Sequence, residues 1–432
     1  MSDGVAVRVA AARALDAVLH RGRSLKATLS EAQSRLDDPR DRGLLEAIVM
    51  AALRQRAGFD EALSRWLAKP LGARDRDLRA LLHVGFAQLA LGLPAHAALA
   101  ATVDAARALG RTHQAGMVNA LLRRAQREGL PTAGSEAAWP RWLAARVRTD
   151  WPQEAAAVFD ASAAQPPMWL RVNRRHGSRE AYLQQLADAG IGADANAAWP
   201  DAIRLAQAVP VQALPGFDVG AVSVQDGAAQ AVADALSPPA GARVLDACAA
   251  PGGKAAHLAE RDASLRVLAL DIDARRVRRM QEAFVRLQLD IDARTGDATQ
   301  PGAWADDATF DAILIDAPCS ATGIVRRQPD VLMHRRPEDV DALRRLQADL
   351  LDALWPRLRP GGVLVYATCS ILRDENAGQV DAFLSRTPDA ALDALDDRFG
   401  RDTGFGRQRL PGECGMDGFF IARLRKSPAR AG

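Results

Sequence analysis

The sequence predicts three structural parts: an all-α bundle, a small α+β subdomain, and an α/β domain built on a doubly wound parallel sheet. The first 130 residues place apolar side chains at helical spacing and contain no alternating β-branched run. From residue 241 onward, short apolar runs alternate with helical patterns, which is typical of a parallel sheet covered on both faces. A chain of 432 residues with 48% hydrophobic residues is long enough for two or three domains with sizeable cores.

The first part, residues 1–133, is predicted to be a bundle of about seven helices. Its helical patterns cover residues 5–19, 44–56, 59–67, 75–89 and 95–109. This part contains 20 Lys and Arg against 13 Asp and Glu, a net charge of +7, whereas the remaining residues contain 36 against 40, a net charge of −4. A basic domain beside a nearly neutral one suits a polyanionic ligand, and an arginine-rich solvated surface explains the same charge equally well.

The second part, residues 134–235, begins within a linker-like stretch at 131–140. Helices are expected at 140–149, 152–163 and 179–189, and strands at 168–173, 202–205 and 221–224. This mixture predicts a small α+β subdomain.

The third part, residues 236–432, predicts the α/β domain. Apolar runs at 243–246, 266–271, 290–295, 310–316 and 362–368 read as parallel strands, with helical patterns at 274–287 and 337–358 between them. Residues 418–425 predict a final strand, antiparallel and at the edge of the sheet.

Composition and cysteine usage narrow the class of protein. No run of about 18 apolar residues predicts a membrane span, and the N-terminus lacks a secretion signal pattern. The four cysteines, Cys248, Cys319, Cys369 and Cys414, occur singly and without a Cys-x-x-Cys pair, so no metal site is predicted. We therefore expect a cytoplasmic protein whose thiols are reduced and available for chemistry.

Acidic residues at successive strand ends predict a cofactor site. Asp246 closes the first predicted strand of the α/β domain, Asp271 closes the second, and Asp297 follows the third. Between the first strand and its helix lies the loop Cys248–Lys254, whose Gly252 and Gly253 permit close backbone approach. The Gly-x-Gly-x-x-Gly pattern of dinucleotide sites is absent, so S-adenosylmethionine fits better. Any single aspartate could instead be a turn or cap residue.

Two cysteines just beyond strand ends predict covalent chemistry on a base. Cys319 follows Asp316 at the end of the fourth strand, and Cys369 follows the fifth. Carbon-5 of a pyrimidine is a poor nucleophile until a thiolate adds at carbon-6, so its methylation needs a nucleophilic thiol and a group that removes the carbon-5 proton. Spacing alone does not decide which thiol attacks. The alternative for each is a buried, inert cysteine, which is the interpretation adopted for Cys414, and Cys248 is expected to have only a loop role.

These residues carry a family resemblance. Asp246–Lys254, Asp316–Gly323 and Thr368-Cys369-Ser370 resemble the signatures of RNA cytosine-5 methyltransferases, which have the class I, Rossmann-like fold. In the first part, Leu93-Pro-Ala-His-Ala-Ala-Leu99 and Val118-Asn-Ala-Leu-Leu-Arg123 resemble the NusB-like RNA-binding domain. Together they are similar to the bacterial 16S ribosomal RNA methyltransferases of the RsmB (Fmu, Sun) group, over nearly the whole chain.

The resemblance implies roles for individual residues. It makes Cys369 the nucleophile and gives Cys319 proton removal and product release. Asp316 is expected to orient the base, and Lys254 is a further candidate for that role. It implies cofactor contacts from Cys248, Ala249, Ala250, Pro251, Gly252, Gly253, Lys254, Asp271, Asp297 and Asp316. Ala321 and Ala255 depart from the family pattern, which often has Gly and Thr there, and these changes concern only fine loop geometry.

The expected activity is therefore methyl transfer from S-adenosylmethionine to carbon-5 of a cytosine in 16S ribosomal RNA, free or in a partly assembled small subunit, by a monomeric protein. Base flipping or a single-stranded loop is implied, because the cytosine must leave any stack to meet the thiols. Arg326-Arg327, which continue the catalytic loop, are expected to contact phosphates. The alternatives are another RNA such as transfer RNA, a non-catalytic NusB-like RNA-binding factor and, more distantly, a small-molecule methyltransferase.

Overall fold

A computed structural model describes residues 3–305 and 308–428 of the chain. The α-helices of these residues are α1 (Asp3–Arg21), α2 (Leu25–Gln33), α3 (Pro39–Arg54), α4 (Arg56–Trp66), α5 (Arg76–Ala90), α6 (Ala95–Ala108), α7 (Ala115–Glu128), α8 (Arg141–Asp150), α9 (Ala155–Ala163), α10 (Arg179–Asp188), α11 (Gly227–Leu236), α12 (Gly253–Arg261), α13 (Ala274–Arg286), α14 (Val331–His334), α15 (Pro337–Leu354) and α16 (Ala377–Arg386). The strands are β1 (Trp169–Val172), β2 (Ala193–Ala195), β3 (Ala202–Leu205), β4 (Val222–Val224), β5 (Arg243–Asp246), β6 (Arg266–Asp271), β7 (Asp292–Thr295), β8 (Phe310–Asp316), β9 (Leu358–Thr368), β10 (Ala390–Leu392), β11 (Arg401–Asp402), β12 (Arg407–Arg409) and β13 (Phe419–Lys426).

The chain forms two compact units. The first contains residues 1–148, 153–165 and 325–335, and the second contains residues 149–152, 166–324 and 336–432. The boundaries at 133 and 235 that the sequence suggests remain predictions. No helix among the described residues is both long enough and apolar enough to cross a membrane.

The helices α1–α7 of the first unit confirm the all-α prediction for the N-terminal part. Helix α3 shows why the sequence folds this way: Leu45, Ile48, Val49 and Ala52 recur every three or four residues and are all buried. The helix starts where the Asp38 carboxylate accepts a hydrogen bond from the Arg40 amide at 2.8 Å. Helix α2 has no counterpart among the predicted elements. Its nine residues bury only three side chains, too few to give a clear periodic signal.

Residues 325–335 lie in the first unit although they follow the Cys319 loop in sequence. The Arg54 guanidinium donates two hydrogen bonds, at 2.9 and 2.6 Å, to the carbonyl oxygen of Arg326. The Leu25 amide donates to Asp330 at 2.9 Å. The prediction that Arg326 contacts phosphates is wrong for this structure, because only 3% of the residue is exposed and its carbonyl is bonded to α3.

In the second unit, the smaller sheet has the antiparallel order β2-β3-β1-β4. Its strands confirm the three predicted by sequence and add β2, which has one half-buried and two exposed residues and therefore no apolar pattern. Leu170, Ile203 and Val222 pack with Tyr182 and Leu186 of α10. The result is a small α+β layer with its own core.

The larger sheet has the order β11-β12-β13-β9-β8-β5-β6-β7, with β10 also paired to β13. Strands β9, β8, β5, β6 and β7 are parallel, which confirms the doubly wound prediction. Strand β13 is antiparallel to β9 as predicted, but its placement at the edge is wrong because β12 and β10 also pair with it. The short strands β11 and β12 are rich in arginine and give no strand signal. Since parallel strands end at a common edge, the loops after β5, β6, β8 and β9 lie there together.

Candidate active site

Two thiols meet at the carboxyl edge of the larger sheet. The Sγ atoms of Cys319, after β8, and Cys369, after β9, are 3.4 Å apart, close enough for one thiol to donate a hydrogen bond to the other sulfur. Cys319 is buried and Cys369 is half-buried. The hydrogen bond to Cys369, followed by burial and the charges of Cys369 and Glu375, raises the pKa of Cys319 well above its usual value. Cys319 therefore holds its proton when Cys369 is ionised.

An ion pair lies beside the thiols. The Lys254 Nζ atom, from the first turn of α12, donates to Asp316 Oδ2 at 2.5 Å, and it lies 5.3 Å from the centre of the Phe419 ring. Burial opposes the charged form of Lys254, but the carboxylates of Asp316 and Asp246 and the charge of Cys369 outweigh it, so the pKa of Lys254 is raised. The charged form of Lys254 is therefore favoured, and it lies close enough to Cys369 to be affected by the charge of that thiol.

Asp246, at the end of β5, is a fully buried carboxylate. Neither oxygen accepts a hydrogen bond of good geometry among the described residues, and the nearby Ala255 amide lowers the pKa only slightly. Burial raises its pKa to about 7, the nearby Lys254 opposes this rise, and the Asp316 and Asp271 charges add to it. A buried carboxylate without a partner is costly in an otherwise apolar setting, so this group is a strong candidate for binding a cation.

The loop from residue 247 to residue 252 is fixed by its backbone. The Ala247 amide donates to Leu314 of β8, and the Ala249 amide donates to Leu270 of β6, each at 2.9 Å. Gly252 has φ of +94°, and a Cβ there would lie 2.6 Å from Met280, so this position requires glycine. No side chain caps the start of α12, which leaves its first amides for a ligand.

Asp271 joins the same loop. Its Oδ2 accepts from the Ala250 amide at 3.2 Å, its Oδ1 accepts from the Asp273 amide at 3.1 Å, and Arg276 approaches it within 3.3 Å. Arg276 also donates to the Ala250 carbonyl. The Asp271 carboxylate and the Arg276 guanidinium therefore fix the backbone of the loop between β5 and α12 at Ala250.

Among the described residues, Asp297, Cys248 and Cys414 form no hydrogen bond to the two thiols or to the Lys254–Asp316 pair. Asp297 accepts from the amide and hydroxyl of Thr299, at 2.9 and 2.7 Å, and shapes its own loop after β7. Cys248 is half-buried, and burial and neighbouring carboxylates raise its pKa. Cys414 is exposed in a separate turn.

Sequence reasoning missed three residues at this site. Glu375 is fully buried beneath both thiol loops, Gln347 donates to the Pro318 carbonyl at 2.9 Å, and Arg276 holds the cofactor loop. Each lies in a segment that looks like an ordinary charged or polar helix or turn. None of the three gives a clear signal in the sequence: Glu375 lies six residues after Cys369, but the half-buried Asp374 beside it has the same kind of side chain.

Three family profiles match the chain. Residues 233–425 match the 16S rRNA methyltransferase RsmB/F family, residues 139–212 match the ferredoxin-like domain of RsmF/B-like methyltransferases, and residues 5–127 match the NusB family. Together these matches span most of the chain, in the order that the resemblance predicted.

Curated relatives extend over the full length. The chain is 58% identical to a ribosomal RNA small subunit methyltransferase B of Xylella fastidiosa, over 99% of each chain, and 48% identical to that of Pseudomonas putida, over 98% of this chain and 99% of the relative. A solved methyltransferase homolog from Pyrococcus horikoshii, 28% identical, superposes with a TM-score of 0.58 over 67% of this chain and 95% of its own. The chain therefore belongs to the RsmB/F family of 16S rRNA methyltransferases.

Proposed function

We propose that this protein transfers a methyl group from S-adenosylmethionine to carbon-5 of a cytosine in 16S ribosomal RNA. The observation that carries the proposal is the 3.4 Å approach of the Cys319 and Cys369 sulfurs beside the Lys254–Asp316 pair. Methyl transfer to a ribose oxygen or to an exocyclic amine needs no thiol. Methylation of carbon-5 uses both sulfurs, because one adds to carbon-6 and the other removes the proton from carbon-5.

The residues of the loop between β5 and α12 fit S-adenosylmethionine. The unpartnered Asp246 carboxylate suits a cationic group, and the uncapped amides of α12 suit the carboxylate of the amino-acid tail. Asp271, Asp297 and Asp316 offer acceptors along the same edge of the sheet. When bound, the cofactor supplies an electrophilic methyl group.

In the proposed reaction, the Cys369 thiolate adds to carbon-6 and makes carbon-5 nucleophilic. Cys319 acts after this step, because bonding of Cys369 to carbon removes the hydrogen bond and the charge that both raise the pKa of Cys319. Cys319 can then lose its proton to solvent and accept the proton of carbon-5. Expulsion of Cys369 as a thiolate releases the product.

Asp316 and Lys254 are proposed to orient the cytosine. An aspartate can accept from the exocyclic amine of cytosine, and a lysine ammonium can donate to ring nitrogen or carbonyl. Their mutual hydrogen bond fixes both groups before the base arrives. Since the two lie next to Cys369, the base would be placed with carbon-6 towards that sulfur.

The choice of 16S ribosomal RNA rests on the family and on the names of the curated relatives. The NusB-like N-terminal part, with its net charge of +7, is proposed to hold phosphates of this RNA. The target cytosine would be flipped from its stack or presented in a single-stranded loop.

The test is incubation of the purified protein with S-adenosylmethionine and unmodified 16S ribosomal RNA, followed by nucleoside mass spectrometry. We expect 5-methylcytidine from the native protein and none from Cys369→Ser, because a hydroxyl is too weak a nucleophile at neutral pH. Cys414→Ser is the matched control and keeps full activity, since Cys414 is exposed in a separate turn. Methylation of another atom, or turnover by Cys369→Ser, would contradict the proposal.

A further inference from the structure

Glu375 is a buried carboxylate whose partners are the two thiol loops. It ends a short turn after Cys369, and 0% of it is exposed. In the part of the chain that the structure describes, no lysine or arginine forms an ion pair with it. A buried charge without a cation is costly, so its hydrogen bonds must stabilise it.

Three hydrogen bonds reach the Glu375 carboxylate. Its Oε1 accepts from the Ser320 amide at 2.8 Å and from the Gln347 side chain at 3.1 Å. Its Oε2 accepts from the Ser370 hydroxyl at 2.6 Å. Ser320 directly follows Cys319 and Ser370 directly follows Cys369, so one rigid group joins the residues next to both sulfurs.

Further contacts close the network around Cys319. Gln347 also donates to the carbonyl of Pro318, the residue just before Cys319, at 2.9 Å. The hydroxyls of Ser320 and Ser370 lie 3.1 Å apart. Cys319 is thus held on both sides by groups that converge on the same carboxylate.

We propose that Glu375 is a positioning residue that sets the distance between the Cys319 and Cys369 sulfurs. The inference rests on the proposed function for its catalytic consequence, whereas the distance itself can be measured without it. Glu375 touches neither sulfur through a hydrogen bond of its own. It acts through the Ser320 amide and the Ser370 hydroxyl, and the length of its side chain matches the gap between the two loops.

Two conservative variants separate reach from charge. Glu375→Asp keeps the carboxylate but is one methylene shorter, so it cannot reach both loops. Glu375→Gln keeps the reach and removes the charge, because its carbonyl can accept from Ser320 and Gln347 while its amide donates to Ser370. If the reach of the side chain sets the distance between the sulfurs, Glu375→Asp is the impaired variant. If the charge of the carboxylate matters more than its reach, Glu375→Gln is the more impaired variant.

The experiment uses full-length protein and two measurements. The first is bridging by dibromobimane, which alkylates two neighbouring thiols, with peptide mapping of the Cys319–Cys369 product. The second is steady-state formation of 5-methylcytidine. Asp374→Asn, which changes the half-buried carboxylate next in sequence, is the matched control and should resemble the native protein in both.

We expect Glu375→Gln to keep native bridging and a kcat within about threefold of native. For Glu375→Asp we expect less bridging and a kcat lowered about tenfold or more, with KM values for cofactor and RNA nearly unchanged, because displacement of reacting groups by about 1 Å costs rate rather than binding. Native bridging and kcat in Glu375→Asp, or a greater loss in Glu375→Gln, would overturn the inference.

A second variant covers the case in which Glu375→Asp does not fold. Gln347→Met removes the hydrogen bond to Pro318 and should lower bridging and kcat in the same direction, and native values for both would count against the network. If the native protein forms no 5-methylcytidine, the proposed function fails, and the bridging yields alone then decide the role of Glu375.

Discussion

At the scale of single residues, the site is built from charges that burial makes costly. Asp246 is the clearest case: its carboxylate is fully buried, lacks a hydrogen-bond partner among residues 3–305 and 308–428, and has a pKa of about 7. Lys254 already pairs with Asp316, so its ammonium compensates Asp246 only through space. The buried Asp246 carboxylate therefore makes an unfavourable contribution to the free energy of the folded protein, and a bound cation would reduce it.

This cost gives a prediction on pH. The pKa of Asp246 is about 7 in the folded protein and near 3.8 when the chain is unfolded, so folding favours the protonated form. Native stability should fall as pH rises from about 4 to about 7 and then lose nothing further from this group. Asp246→Asn removes the effect.

The measurement is thermal unfolding without added ligand at pH 5 and pH 8. We expect Asp246→Asn to raise Tm relative to the native protein more at pH 8 than at pH 5. Asp349→Asn, at an exposed position, is the control and should give no such difference. An equal Tm change for Asp246→Asn at both pH values would contradict the raised pKa.

At the scale of elements, one buried ion pair joins the smaller sheet to the helix of the cofactor loop. Arg171 of β1 donates to both oxygens of Glu260 in α12, at 2.8 and 2.7 Å, and both side chains are 1% exposed. Arg171 also donates to the carbonyl of Gly253, the first residue of α12, at 2.6 Å. The small α+β layer thereby fixes the start of the helix that faces the cofactor site.

We expect Arg171→Met to lower the free energy of unfolding by about 3–5 kcal/mol, because it leaves the Glu260 carboxylate buried and unpaired. Urea unfolding checks this value. Arg204→Met is the matched control in the same sheet: its pair with Asp194 is exposed and should contribute at most about 1 kcal/mol. Removing both charges, in Arg171→Met with Glu260→Leu, should recover much of the loss, and similar losses in Arg171→Met and Arg204→Met would contradict the assignment.

Element by element, the sequence was informative where burial follows a simple period. Strands β5, β6 and β8 match the predicted ranges residue for residue, because each is a short apolar run buried on both faces. Strands β10, β11 and β12 were missed, because they are two or three residues long and owe their pairing to β13 rather than to their own composition. The prediction that β13 lies at the edge of the sheet was wrong for the same reason, because the short strands that pair with it were not predicted.

The same distinction applies to the site. Cys319, Cys369 and Asp316 could be identified because strand ends place them, and strand ends can be read from sequence. Glu375 and Gln347 could not, because their roles depend on which way a side chain points from a turn and from a helix. No local pattern separates the fully buried Glu375 from the half-buried Asp374 beside it.

At the scale of the whole molecule, the chain combines a basic helical part with an α/β part that carries all the groups proposed for catalysis. The segment 325–335 extends directly from the Cys319 loop region and is anchored by Arg54, Leu25 and Val18 to the helices of the first unit. The polypeptide therefore returns to the helices of the proposed RNA-binding part soon after the proposed catalytic loop.

The central claim is that Cys369 attacks carbon-6 and Cys319 removes the carbon-5 proton, and one measurement tests it directly. Cys319→Ser is incubated with S-adenosylmethionine and 16S ribosomal RNA, and the products are separated on a denaturing gel and mapped by mass spectrometry after digestion. We predict a covalent protein–RNA complex in which a cytosine is attached to the peptide that carries Cys369, because the carbon-5 proton can no longer be removed. Attachment at another residue, or free RNA with no complex, would contradict the account.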